Sequence, residues 1–358
     1  MIDIAIDLRV ANGKPAGMAR YALELAERIP PLAPDLSFLF ITGPGAPPLA
    51  RANNVSIART RSPFLSPLEQ IELPLATRHA RLLHATTFSV PFLRRQRLIA
   101  TLHDANHLAF PEYYGRAQAL YFQWIVGPVA RRARILTVSH FAKQELVTRL
   151  GVSADHITVT PLAASSDFRP HDAATLEAFR ARRGLPKRFV LYVGNDKPHK
   201  NVATLIQAHR RLPDDIGLVL CGVEPLAAPT RAIVWRDAPK EELPLLYGAA
   251  SVFCFPSRYE GFGLPPLESL ACGTPVAAAR AASIPEVLGD AATYFDPDDV
   301  EGCANAIRRL LALLSSERET LRVAGMEHAR HFSWEKTARR TLAAYRAALA
   351  DVSQCTTS

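Results

Sequence analysis

Short apolar runs, each followed by a helix-like stretch, recur along the whole chain and constrain its fold more than any other feature. One series lies at Ile2 to Ile6, Ser37 to Ile41, Leu82 to Ala85, Leu98 to Leu102 and Ile135 to Val138. A second lies at Phe189 to Val193, Gly217 to Cys221, Ala232 to Trp235, Val252 to Phe255, Pro275 to Ala278 and Thr293 to Phe295. Strands that alternate with helices pair in parallel and need helices on both faces. Helices are expected from about Arg20 to Ile29, from Val202 to Arg211 after Asn201, and from Glu301 to Leu314, where Ala304, Ile307, Leu310, Leu311 and Leu314 recur at helical spacing. The expected fold is α/β, with two doubly wound sheets.

A chain of 358 residues exceeds one ordinary core and suits two domains of roughly 150 to 200 residues each. After Ile157 to Pro161 the sequence Ala163-Ala164-Ser165-Ser166-Asp167-Phe168-Arg169-Pro170 has linker chemistry, which sets the expected domains at 1–167 and 168–333. The last helix, from about Trp334 to Leu349 within 334–358, is expected to cross back to the first domain.

Hydrophobic residues make up 48% of the chain and charged ones 21%, a balance that excludes disorder. Lys+Arg at 42 exceeds Asp+Glu at 34, and the resulting +8 predicts an anionic partner: nucleotide phosphates, an acidic membrane surface or nucleic acid. No nucleic-acid reading element accompanies the basic residues, so nucleic acid is the least expected of the three. The cysteines Cys221, Cys254, Cys272, Cys303 and Cys355 are odd in number and lack metal-ligand spacing, which fits reduced thiols in a cytoplasm. Met1 to Asp7 alternates like a strand, so no signal peptide is expected, and no apolar stretch is long enough to span a bilayer.

Chemistry concentrates after the Val252 to Phe255 run, in Pro256-Ser257-Arg258-Tyr259-Glu260-Gly261-Phe262-Gly263-Leu264-Pro265-Pro266-Leu267-Glu268. Gly261 and Gly263 let backbone approach a ligand, and a proline-started helix directs its first N–H groups at the loop, which makes an anion site. Glu260 and Glu268 flank that turn as acceptors for hydroxyl groups. A second element, Tyr192-Val193-Gly194-Asn195-Asp196-Lys197-Pro198-His199-Lys200-Asn201, leads a strand through a glycine to a basic helix entrance. In the first half, Thr101-Leu102-His103-Asp104 puts an imidazole at a strand's carboxyl end, where ligands of such sheets collect.

These segments resemble the Glu-x7-Glu motif and its flanks in the retaining glycosyltransferases of family 4, which have the GT-B fold of two Rossmann-like domains. The likeness continues through Ser283-Ile284-Pro285-Glu286-Val287, Asp296-Pro297, Phe332-Ser333-Trp334 and Glu242 to Tyr247. It implies a nucleoside-diphosphate-sugar donor on the second domain and a saccharide or lipid-linked saccharide acceptor on the first. Glu260 would contact the transferred sugar and Glu268 the donor ribose, with Phe262, Gly263 and Leu264 as backbone donors. Lys200 would hold the diphosphate beside Gly194. Asn195 stands where many members have arginine, so Lys197, His199 or Arg258 would supply a second cation. His103 would contact the donor sugar, Asp104 the acceptor side, and Gly17 of the first loop the donor phosphates. That loop carries Met18-Ala19 where members often have isoleucine-glycine, and Pro161-Leu162-Ala163-Ala164 replaces their Pro-Asn-Gly-Val. Val138-Ser139-His140-Phe141-Ala142-Lys143 resembles a segment bordering the acceptor cleft.

The expected reaction is retaining hexosyl transfer in polysaccharide or glycolipid assembly, with GDP-mannose favoured and UDP-sugars open. No Asp-x-Asp pair follows a strand near the donor motif, so no metal is expected. A non-catalytic sugar-nucleotide-binding subunit is the alternative. Arg94-Arg95-Gln96-Arg97 and the stretch from Tyr113 to Arg134, with Tyr121, Phe122, Trp124, Arg131 and Arg132, suit a peripheral contact with the inner face of a membrane. A core-facing aromatic helix with a solvated basic rim fits that stretch equally.

Overall fold

The computed structural model describes residues 2–12, 17–49, 52–62, 64–93, 95–224 and 232–351. Gly13 to Ala16 of the first loop, Arg94, Cys355 and the end of the chain beyond 351 lie outside the described residues. The chain divides into two compact units, one of Met1–Leu162 with the segment from Trp334, the other Ala163–Ser333. The change of unit at Leu162 falls a few residues ahead of the expected position at 167.

The first unit holds a sheet of β1 (Ile2–Asp7), β2 (Phe38–Thr42), β3 (Val55–Arg59), β4 (Ala80–Ala85), β5 (Arg97–Thr101), β6 (Arg134–Thr137) and β7 (Ile157–Val159), in the order β3-β2-β1-β4-β5-β6-β7. Every pairing is parallel, with Ile4 opposite Phe38 on one side of β1 and Leu82 on the other. Ile4, Ile6, Phe38, Phe40, Leu82, Leu83 and Ile135 are fully buried, because helices cover both faces. β3 is an edge strand and its side chains are half-exposed or exposed.

The second unit repeats the plan with β8 (Phe189–Val193), β9 (Gly217–Cys221), β10 (Ala232–Trp235), β11 (Val252–Phe255), β12 (Val276–Ala279) and β13 (Ala292–Phe295), ordered β10-β9-β8-β11-β12-β13 and again all parallel. Chain order reverses between β8 and β11. Such a reversal opens a crevice at the carboxyl ends of the two strands, where ligands of doubly wound sheets bind.

The Trp334–Ala350 helix belongs to the first unit, on which four sets of bonds hold it. Tyr345 hydroxyl meets His84 Nδ1 at 2.6 Å, Arg97 donates to the carbonyls of Ala348 and Leu349, Thr337 donates to Pro161 O, and Arg346 pairs with Asp35. His84 is wholly buried and its Nε2 meets Thr101 Oγ1 at 2.8 Å. Cys221, Cys254, Cys272 and Cys303 are buried and free, and burial pushes the thiols of Cys221, Cys254 and Cys272 upward, away from reactive thiolate.

Burial lowers the pKa of His84 from 6.5 to about 3. Between those values the unfolded chain binds the proton and the folded one does not, so stability falls as pH drops below about 6.5. The melting temperature is expected to decline across that window, and less steeply in His84→Gln. Parallel profiles for the two proteins would remove His84 from the account.

Candidate functional site

The reversal between β8 and β11 is lined by the segments that the sequence singles out. After β8 comes Gly194, whose φ of +154° and position suit only glycine, since a Cβ there would lie 2.7 Å from the Tyr192 hydroxyl. That hydroxyl donates to Asn195 O at 2.7 Å, which fixes the turn. Asn195 and Lys197 are exposed, and Asn195 Oδ1 accepts from the Lys197 N–H. A 3₁₀ turn, Pro198–Lys200, then delivers Lys200 to the loop that follows β11.

There Lys200 Nζ meets both carboxylate oxygens of Glu260, at 2.8 and 2.9 Å. The two side chains are only 17% and 12% exposed, so the pair is shielded yet reachable. Its cation also lies 6.0 Å from the Phe255 ring. One residue on, Asn201 adopts a left-handed conformation at φ 56° and donates to Pro256 O at 3.1 Å and Pro297 O at 2.7 Å. Its Oδ1 accepts from Thr204 Oγ1 and from Arg258 Nη1. Asn201 thereby locks the Lys200 turn to the Glu260 loop, a role that no local pattern announced. Ser283 completes the frame by donating to the carbonyls of Glu260 and Phe262, each at 2.9 Å.

The Leu264–Ala271 helix begins at Gly263, whose φ is 103°. Pro265 and Pro266 occupy its first turn and carry no N–H, so the donors at this start narrow from a full helical turn to Gly263, Leu264 and the preceding loop. Phe262 is buried against Phe332, and its carbonyl accepts from Ser283. Glu268 is deeper than a carboxylate facing solvent: it is 5% exposed, and the fully buried Tyr247 donates to its Oε2 at 3.1 Å. Burial and the neighbouring carboxylate raise the Tyr247 pKa, so the phenol keeps the proton it donates.

Among the three candidates for a second cation, His199 is buried, whereas Arg258 is held by Asp298 at 2.7 Å and by Asn201. Lys197 is exposed on the loop itself. Among the described residues, no group of three or more His, Cys, Asp or Glu side chains could hold a metal ion.

In the first unit, His103 and Asp104 follow β5 at the carboxyl end of the sheet. His103 Nε2 lies 3.2 Å from Thr86 O; a carbonyl only accepts, so Nε2 carries the proton and Nδ1 is left as an acceptor. Burial lowers the pKa of this ring to about 4, which keeps it neutral near pH 7. Tyr21 packs edge-on against it at 4.9 Å, which brings the start of the Gly17–Leu32 helix to the same end of the sheet. Gly17 is exposed, and a Cβ there would meet nothing within 4 Å, so close packing does not require glycine. Asp104 Oδ1 accepts from the Asn106 N–H. Ser139 caps the His140–Leu150 helix by accepting from Ala142 N at 2.9 Å.

Comparison with known proteins adds three findings. The profile described as Glycosyltransferase Family 4 matches residues 15–167, and that described as Glycosyl transferases group 1 matches residues 176–326. The chain is 34% identical to the O-antigen chain mannosyltransferase B of Escherichia coli over 74% of this chain and 73% of that protein. It is 32% identical to the MMP alpha-(1->4)-mannosyltransferase of Mycolicibacterium hassiacum over 63% of this chain and 57% of that one. Among solved structures, sucrose-phosphate synthase from Thermosynechococcus elongatus is similar with a TM-score of 0.78 at 20% identity, covering 98% of this chain and 100% of that one. Anabaena Alr3699/HepE in complex with UDP and glucose gives 0.75 at 17% identity, covering 97% and 100%. At such identities the likeness shows the fold, which is GT-B as expected.

Asn201→Ala removes the donors to the carbonyls of Pro256 and Pro297 and puts alanine into a left-handed turn, which it tolerates less well than asparagine does. Urea unfolding is expected to register a loss of roughly 2–4 kcal/mol. Asn201→Gly keeps the turn and loses only the bonds, so it should cost less; equal costs would show that backbone conformation is not part of the role.

Proposed function

The chain belongs to the glycosyltransferases of family 4, and from that premise we propose that it moves mannose, with retention, from GDP-mannose to a saccharide or lipid-linked saccharide in polysaccharide assembly. The observation that carries the reading is the shielded Lys200–Glu260 pair at the strand-order reversal of the second unit. Lys200 and Glu260 bond to each other. A bound donor substitutes for both, its diphosphate taking Lys200 and its sugar hydroxyls taking Glu260. The donor thus enters a site whose charges are already oriented.

Departure of the nucleoside diphosphate builds negative charge on the phosphate oxygens. Lys200 and the backbone N–H groups of Gly263 and Leu264 stabilise it, with Lys197 as the second cation in place of the arginine that Asn195 replaces. Glu268, fixed by Tyr247, accepts from the ribose hydroxyls. The freed phosphate oxygen takes the acceptor's proton, so the reaction needs no separate base and no metal. On the first unit neutral His103 accepts from a donor-sugar hydroxyl through Nδ1 and adds no charge, and Asp104 orients the incoming hydroxyl of the acceptor. Mannose is favoured because the two relatives above are mannosyltransferases by name. The reading puts the reaction in the cytoplasm, at the inner face of the membrane. Among the described residues no helix is long and apolar enough to cross a membrane.

Thermal-shift measurement against GDP-, UDP- and ADP-sugars is expected to show stabilisation by GDP-mannose that weakens in Glu268→Ala. In turnover assays Lys200→Ala is expected to lower kcat/KM by about 10²–10³-fold. A shift with UDP-sugars alone would reassign the donor, and no shift with any donor would overturn the reading. Activity abolished by EDTA and restored by Mg²⁺ or Mn²⁺ would overturn metal independence.

A further inference from the structure

Threonines close the carboxyl ends of strand pairs in the first unit. Thr60, which follows β3, donates its hydroxyl to Thr42 O at the end of β2, at 3.1 Å. Thr86, after β4, donates to Asp7 O at the end of β1, at 2.6 Å. Thr137, the last residue of β6, donates to Leu102 O just past β5 at 2.7 Å, and Thr160, after β7, donates to Thr137 O at 3.3 Å. All four side chains are buried. Each hydroxyl meets a carbonyl at the place where a parallel pair stops, and a buried carbonyl left there without a donor is costly.

Two of the four bear on His103. The Leu102 carbonyl belongs to the peptide that joins Leu102 to His103, so the Thr137 hydroxyl fixes the backbone from which the imidazole projects. The Leu102 N–H donates to Leu136 O at 2.9 Å and holds the same residue from its other side. The ring is held separately, because its Nε2 donates to Thr86 O at 3.2 Å. Thr86 is anchored in turn by its hydroxyl bond to Asp7 O. Asp7 is a firm anchor: it lies in the ladder opposite Ile41 and Ala85, and Arg9 clamps its carboxylate through Nε at 2.9 Å and Nη2 at 2.7 Å. The ends of β1, β4, β5 and β6, neighbours in the sheet, are thus tied to one histidine. Thr60 makes the same kind of bond between β3 and β2, at the edge of the sheet and away from His103.

We infer that Thr86 and Thr137 are positioning residues for His103, Thr137 for its backbone and Thr86 for its ring, so that Nδ1 presents its lone pair in one direction. Only the effect on turnover rests on the proposed function, through the role given there to His103. The test compares Thr86→Val and Thr137→Val, which keep the branched shape and lose the hydroxyl, with Thr86→Ser and Thr137→Ser, which retain it. Thr60→Val controls for the loss of a strand-end bond alone, and circular dichroism checks that each variant is folded. Nitrogen-15 histidine NMR reads the ring directly, with the His103 signals identified by their loss in His103→Gln. Wild type is expected to show one Nε2-protonated tautomer that does not titrate between about pH 8 and 6, since burial lowers this pKa to about 4. Thr86→Val is expected to show both tautomers and Thr137→Val shifted ring signals, while Thr60→Val keeps the wild-type pattern. GDP release from GDP-mannose, with water as the acceptor, is expected to fall roughly three- to tenfold in kcat in the two valine variants, with KM near wild type. It should recover in the serine variants and stay unchanged in Thr60→Val. Unchanged His103 signals in both valine variants would overturn the inference, as would a fall in turnover that Thr60→Val shares. A wild-type protein that turns over no donor would count against the proposed function instead, and the NMR comparison then decides the inference by itself.

Discussion

Parallel strand pairing is the constraint from which the rest of this enzyme follows. Because β8 and β11 run the same way side by side, both must hand their chains to loops at the same edge of the sheet. The reversal of strand order then keeps those loops from covering each other. Lys200 and Glu260, sixty residues apart, come within 2.8 Å because that edge leaves them nowhere else to go. No long-range motif is needed to unite them. Two short local sequences suffice, provided each follows its own strand.

Within that frame the polar contacts divide into those left partly open to solvent, where the proposed donor would enter, and those that hold the loops. Lys200 and Glu260 remain partly open to solvent, whereas Asn201 and Ser283 spend their hydrogen bonds on backbone carbonyls. Buried carbonyls without partners are costly, so these bonds make one loop geometry much more favourable than its neighbours. Tyr247 does for Glu268 what Asn201 does for the loop. A carboxylate held by a buried phenol keeps a fixed direction.

Much of this architecture is legible in the order of the amino acids. The eleven apolar runs are all strands, since each is short, aliphatic and bounded by turn chemistry. Two further strands, Val55–Arg59 and Ile157–Val159, escape such a reading because they are short and lie at the two edges of their sheet, where burial leaves a weaker imprint. The arginine-rich Ala173–Arg183 helix and the charged Ser315–Arg330 helix escape it for a related reason: each buries only one or two residues. Leu314 continues the apolar spacing of the preceding helix but in fact precedes the next one, because spacing alone cannot see a chain turn. At the site the residue types are readable, yet the reduced donor set at 264–266 and the partners of Asn201 depend on N–H placement and on contacts far along the chain.

The return of the Trp334–Ala350 helix to the first unit has a consequence for biosynthesis. On a ribosome the second unit, Ala163–Ser333, has all of its residues before the first unit has received its last helix. Until then His84 and Arg97 lack Tyr345 and the carbonyls of Ala348 and Leu349, and the face they serve stands open. The half of the molecule that is made first is thus the last to be finished, and its interim exposed surface is open to aggregation until that helix docks.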